Sequence, residues 1–333
     1  MDDPPSSPRR PVGGPGGPAV SPPPPAAPRT LDLKVGYDCN NRCIHCAVSD
    51  QRDAAVALRG NANRSLRECA EELRASRDRG ARLVVLTGGE PTIRPDLLDI
   101  ALQARTLGFQ VALQTNGRRF CYPDYARQMS RVVDWFSVAL HGATAAVHDA
   151  VTRIPGSHAQ TVAGLQNLVA AGAWVAGKVV LSRQNYAELP ALVARLDALG
   201  AARVNVAFPH AIGSAGRQFE AVVPRYSAIR EALEAALTDS LARGLELELE
   251  AVLPCALRRR FPATCFADLR RPPRTEVKQL DRPVPQDWDQ ARVEQKRRGP
   301  RCDACTHDNH CEGYWKEYVE RFGWSEFEPP SGG

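Results

Sequence analysis

The chain has 333 residues, 43% of them hydrophobic and 24% charged, with a formal net charge of +5. That is enough to bury one large core plus an appendage, and the mild basic balance permits an anionic partner without demanding one. No apolar run approaches the roughly 20 residues that a membrane-spanning helix needs. Ten cysteines behind an amino terminus without an apolar segment point to the reducing cytoplasm, where thiols serve metals or catalysis.

Residues 1–30 hold 11 of the 27 prolines, interleaved with Gly, Ala and Ser. Such a segment buries too little apolar surface to offset its ordering entropy, so a disordered or polyproline tail is expected. A short strand at 31–36 then leads into YDCNNRCIHC (37–46), which gathers Cys39, Cys43 and Cys46 at C-x3-C-x2-C spacing. A closed zinc site wants four ligands, and a disulfide framework wants an even number of cysteines. Three thiols suggest a metal centre with one coordination position held open.

A charged amphipathic helix is expected at 64–79, then the buried strand 83–87, ending in Gly88, Gly89, Glu90 and Pro91. Helix 95–107 opens with Pro95 and Asp96 and stops at Gly108. The alternation continues through strand 109–115, a helix near 123–131, strand 135–140, helix 158–171, strand 174–182, helix 186–199 and strand 203–208. Six apolar strands alternating with helices argue for a parallel sheet covered by helices. The unusual residues cluster just after strand ends, and in (β/α) barrels those loops meet at one face. The expected fold is therefore α/β, a partial (β/α)6 TIM-like barrel over 31–244.

After residue 220 the rhythm changes. A helix near 224–243 and the half-exposed strand LELELEA (245–251) lead into a small cysteine-rich module placed at 245–328, with a tail at 329–333. There Cys302, Cys305 and Cys311 follow C-x2-C-x5-C, a second metal-site spacing. Cys255 is the expected fourth ligand and Cys265 a substitute or spare.

Three thiols so spaced suit a [4Fe–4S] cluster with one iron left free. The loop resembles the cluster-binding signature of the radical S-adenosylmethionine (SAM) superfamily, with His45 as the aromatic residue before the last cysteine. Gly88, Gly89, Glu90 and Pro91 resemble that family's GGEP motif, whose backbone and acid contact the ammonium of SAM. The glycines would let backbone come close to it. Asn116, Ser137, Ser182 and Asn185 lie where the family places polar contacts to SAM, and Phe208-Pro209 is a candidate for adenine packing. No clear G-x-I-x-G-x-x-E motif stands near strand five. The carboxy-terminal spacing is similar to the auxiliary-cluster modules called SPASM and twitch domains, although Trp315 stands where the SPASM pattern continues with a cysteine. That departure favours one auxiliary [4Fe–4S] cluster over two, with zinc as the alternative.

The resemblance implies reductive cleavage of SAM to a 5′-deoxyadenosyl radical that takes hydrogen from a peptide or cofactor-precursor substrate. It also implies a reductant protein such as a flavodoxin or ferredoxin. The competing readings are a non-catalytic zinc or iron–sulfur scaffold or electron carrier, or a radical enzyme acting on RNA or another small molecule. In the zinc reading, His45 or a distant histidine completes the first site and His307 or His310 the second. The basic runs at 258–260 and 296–298 read as solvated surface rather than a nucleic-acid site, because no aromatic stacking stretch accompanies them. Cys69 and Cys121 read as packing residues.

Overall fold

The computed structural model describes residues 29–269, 275–282, 284–307 and 311–329. Most of the proline-rich tail, the last residues of the chain and His310 lie outside them. Six strands fall where the apolar runs place them: β1 (Arg29–Gly36), β2 (Ala81–Gly88), β3 (Gln110–Thr115), β4 (Trp135–Ala139), β5 (Trp174–Val180) and β6 (Arg203–Ala207). They pair in parallel in sequence order, with helices between them. This is an open, partial (β/α) barrel.

Local chemistry explains the helix ends. Ser65 opens the helix Leu66–Asp78 with a full capping box, its hydroxyl accepting from Glu68 N while Glu68 accepts from Ser65 N. A cap of this kind is worth about 1 kcal/mol. That helix buries Cys69, Ala70, Leu73 and Ser76, so Cys69 packs in the core as expected. The helix Ser157–Ala170 buries Gly164 against Gly117, where an added Cβ would lie 2.2 Å from Gly117 O. Two further helices, Ser49–Arg59 and Ala145–Thr152, have no counterpart in the expected pattern. The first buries only Ala55, too narrow a face to read as helical periodicity.

The boundary placed at residue 244 falls inside the sheet. The strand Glu246–Glu250 (β7) pairs in parallel with β6 from Arg203↔Glu246 to Ala207↔Glu250, so it is a seventh strand of the same sheet. Its exposed glutamates made it look separate, but it is an edge strand, and edge strands carry charge. From there the chain returns across the open side of the barrel. Phe266 bridges to Leu249 on β7, and the strand Thr275–Lys278 (β8) pairs in parallel with β1 at the opposite edge. The strand Gln286–Asp287 (β9) adds antiparallel to β8. Arg79–Glu276 and Lys278–Glu72 ion pairs tie β8 to the helix Leu66–Asp78.

A buried charge cluster anchors this return. The fully buried Lys296 ammonium donates to Asp268 and, at 2.9 Å, to Glu312, while Arg292 pairs with Glu312 at 2.6 Å. Asp268 also accepts from the N–H of Ala251, whose backbone is left-handed at φ 55°. Removing one partner would strand a buried charge, at a cost of about 3–5 kcal/mol.

Candidate cofactor cavity and a second cysteine group

The loops after β1 to β6 frame one cavity of about 1070 Å³, and Cys39, Cys43 and Cys46 all line it. Opposite them stand Gly88, Gly89 and Glu90 from β2, Asn116 from the loop after β3, Ser137 on β4 and His141 just after β4. Burial raises all three thiols, Cys39 to about 12, and for Cys39 and Cys43 the neighbouring sulfurs add to the shift. Three neighbouring thiols with raised pKa values need a cationic body to let them ionise, and soft thiolates select iron–sulfur or zinc. Among the described residues, no three His, Cys, Asp or Glu side chains converge tightly enough to hold a single metal ion. The three thiols thus share a cavity without closing on one point, which fits a body larger than one ion.

The Gly-Gly-Glu edge also has a structural job. A Cβ on Gly88 would lie 2.0 Å from Gly36 O, and one on Gly89 would lie 2.2 Å from Asp38 O. The glycines let β2 press against the start of the cysteine loop, joined by Gly89 N–H to Gly36 O and Glu90 N–H to Asp38 O, both 2.8 Å. Glu90, 3% exposed, spends most of its carboxylate internally. Its Oε1 accepts from Thr92 N, Thr92 Oγ1 and Thr115 Oγ1, and its Oε2 accepts from Asn116 N at 2.6 Å. Burial raises its pKa against these hydrogen bonds. Each carboxylate oxygen offers about two acceptor positions, and Oε2, with one of them used, keeps one to receive a ligand N–H.

Pro91 is buried and starts the short turn of helix Pro91–Ile93, away from the cavity wall. Ser182 and Asn185 also stand outside the wall. Asn185 is an internal staple, donating to His141 O at 3.0 Å and Val180 O at 2.9 Å while accepting from Ser182 N at 2.7 Å. Phe208 stacks on Tyr226 at 4.1 Å in an aromatic core with Tyr318, so it is not aimed at the cavity.

Residues without a motif complete the wall. Lys34, Thr87, Gln114 and Ser137 face it from β1 to β4, and Lys178 from β5. Lys178 donates to Asn205 Oδ1 and Glu250 Oε2, both at 2.5 Å, leaving its third N–H for a ligand. Arg153 lines the mouth from a left-handed backbone, φ 58°, strain of the sort that collects at functional sites. Four histidines form a buried row beside the cysteine loop: His45 on His141 at 4.5 Å, His141 on His148 at 6.0 Å, and His148 on His158 at 5.6 Å. Burial lowers them all, His45 and His148 to about 4, so the row is neutral at physiological pH. Only the alternating polar residues on the barrel-facing side of β1 to β5 could have announced this wall.

The second cysteine group is equally coherent. Cys255 and Cys302 line a cavity of about 340 Å³ with Tyr314, Trp324 and Phe327. Burial pushes Cys255 up to about 12, with further contributions from Cys311, Cys305 and Cys302, so the four sulfurs are neighbours. Tyr314 Oη lies 3.1 Å from Cys255 Sγ. Cys265 is elsewhere, against Leu237, Leu241 and Leu247. Trp315, which stands where the SPASM pattern continues with a cysteine, stacks on His210 at 3.9 Å. The loop after His210 reaches the first site, since Ser214 N–H donates to Cys46 O at 2.9 Å.

A parallel barrel sheet with three thiols after its first strand and a Gly-Gly-Glu edge after its second, on one cavity, defines a class of α/β-barrel enzyme. The family model described as the Radical SAM superfamily matches residues 33–196 of the chain. The chain is 36% identical over 178 residues to the mycofactocin maturase MftC of Mycobacterium ulcerans, covering 53% of this chain and 46% of that protein. It is 26% identical over 225 residues to the PqqA peptide cyclase of Gluconobacter oxydans, covering 67% of this chain and 61% of that one. The chain spans about half the length of the MftC relatives it matches. Among solved structures, Streptococcus suis SuiB bound to its precursor peptide SuiA superposes with a TM-score of 0.61 at 14% identity. The match covers 92% of this chain and 75% of SuiB, a likeness of fold.

Proposed function

We propose that the chain is a radical SAM enzyme that modifies a peptide. Cys39, Cys43 and Cys46 would hold a [4Fe–4S] cluster, and Cys255, Cys302, Cys305 and Cys311 a second one. When bound, the first cluster and SAM supply an electron and a sulfonium, whose cleavage gives methionine and a 5′-deoxyadenosyl radical that takes a hydrogen atom from the substrate. The observation that carries this reading is the donor set: three soft thiols line a cavity large enough for cluster and cofactor, one ligand short of closure.

The chain's own residues supply placement. The free acceptor site on Glu90 Oε2 and the Asn116 and Ser137 side chains would receive the polar end of SAM, and Arg153 at the mouth would face its carboxylate. The neutral histidine row adds no competing charge beside the cysteine loop. Lys178, held by Glu250 and Asn205, offers a fixed donor to a substrate carbonyl, and the polar wall orients the C–H bond to be attacked.

A peptide substrate is supported by the relatives: one named a maturase, one a peptide cyclase, and a fold neighbour solved with a precursor peptide. The test is anaerobic reconstitution with iron and sulfide, then incubation with SAM, dithionite and a panel of synthetic short peptides. The expected result is 5′-deoxyadenosine together with a mass change in one peptide. Formation of 5′-deoxyadenosine with no peptide altered, but with another small molecule consumed, would overturn the peptide assignment.

A further inference from the structure

Arg118 belongs to no motif, yet its bonds converge on the cysteine loop. The Thr115-Asn116-Gly117 turn at the end of β3 places it there, with Gly117 at φ 78° and no room for a Cβ, which would lie 2.6 Å from Val138 Cγ1. One guanidinium nitrogen donates to Asn40 O at 2.5 Å and to Asn41 Oδ1 at 2.8 Å, and Nε donates to Gln160 Oε1 at 2.7 Å. Asn116 reinforces the arch, donating from Nδ2 to Asn40 Oδ1 at 2.7 Å. Asn40 and Asn41 are the first two residues between Cys39 and Cys43, and Asn41 N–H points at Cys39 Sγ at 3.3 Å.

The later half of the loop has other support. Arg42 N–H and Ile44 N–H donate to Thr152 O and Val151 O, and Cys46 O accepts from Ser214. The Cys39–Asn41 half depends on the guanidinium. Among the described residues, no carboxylate pairs with Arg118, and its charge and the Glu90 carboxylate act on the first thiol with opposite signs.

We propose that Arg118 is the positioning residue of the three-cysteine loop, fixing its first half by hydrogen bonds and raising the reduction potential of the bound cluster by its charge. This rests on the cluster proposed above. A cluster on thiolates gains negative charge on reduction, and a fixed cation within a few ångströms favours that state. The planar guanidinium holds Asn40 O and Asn41 Oδ1 from one nitrogen while Nε is fixed on Gln160; an ammonium keeps the charge but loses the Nε bond and the fixed plane.

Two variants of the full chain separate these roles, Arg118→Lys and Arg118→Gln. In metal-free protein, hydrogen exchange over residues 37–46 should quicken in both, with the rest of the barrel unchanged. After reconstitution, both should lose iron to a chelator about 10–100-fold faster, the range for partners that orient metal ligands. The SAM-sensitive electron paramagnetic resonance signal should titrate at a more negative midpoint in Arg118→Gln and at the wild-type midpoint in Arg118→Lys. Wild-type exchange in both variants would overturn the positioning role, and a wild-type midpoint in Arg118→Gln would overturn the electrostatic one. If Arg118→Gln does not fold, a shifted midpoint in Arg118→Lys overturns the charge assignment. Failure of wild-type protein to take up iron would sink the cluster reading, leaving hydrogen exchange to decide the positioning role.

Discussion

The two cysteine groups share one donor chemistry and differ in what surrounds them. The three-cysteine loop opens onto a cavity of about 1070 Å³ walled by polar barrel residues and backed by neutral histidines. Of the four-cysteine group, Cys255 and Cys302 face one of about 340 Å³, with Tyr314, Trp324 and Phe327 in its wall. Ligand count and cavity size change together: the site that lacks a fourth thiol has the room for a molecule to take its place. On the proposed function, the first would be a catalytic centre with an open position and the second a closed one.

Substitutions at six positions and one titration would break or sharpen that contrast. The largest effect is expected from Cys39→Ser, Cys43→Ser or Cys46→Ser, each of which should reduce SAM cleavage to background, as read by chromatography of 5′-deoxyadenosine. Next, Gly89→Ala drives a methyl into Asp38 O and Tyr37, so β2 and the cysteine loop must separate. Overpacking of this kind costs about 1–3 kcal/mol, to be checked by denaturant unfolding, and iron uptake at the first site should fall. Cys302→Ser should halve the iron per chain while substrate-free SAM cleavage persists, measured by iron assay and chromatography on one sample.

The histidine row gives a smaller, pH-dependent effect. His148 is held neutral in the folded chain, down to about 4 against a usual value near 6.5, because burial penalises its charge. The unfolded chain therefore binds the proton first as pH falls. The stabilising contribution is whole above about pH 6.5 and is lost towards pH 4, amounting to about 3 kcal/mol at most. Unfolding of the metal-free chain across that window, compared with His148→Gln, measures it; equal pH slopes would refute it. The smallest effect is expected at Cys265→Ala. Cys265 packs against leucines away from the other four thiols, so iron content should not change.

The strands of the barrel were legible because buried parallel strands are continuous apolar runs, and Cys39, Cys43, Cys46 and Glu90 because their chemistry lies in short consecutive motifs. Grouping Cys255 with Cys302, Cys305 and Cys311 was legible too, although some fifty residues separate it from the rest. What stayed hidden depends on pairing across the chain. Nothing in LELELEA says that its neighbour is β6, and nothing in TEVK says that β8 lies against β1. Ser182 and Asn185 looked like ligand contacts because polar residues at strand ends often are, whereas Asn185 satisfies backbone groups. Arg118 and Lys178 carry no signature, since their roles come from what the fold places opposite them.

The most direct test is the reduction of anaerobically reconstituted protein in the presence of SAM. The account expects about eight irons per chain as two four-iron clusters, with 5′-deoxyadenosine formed by wild type and by Cys302→Ser but not by Cys43→Ser. Stoichiometric zinc with no 5′-deoxyadenosine in any sample would contradict it.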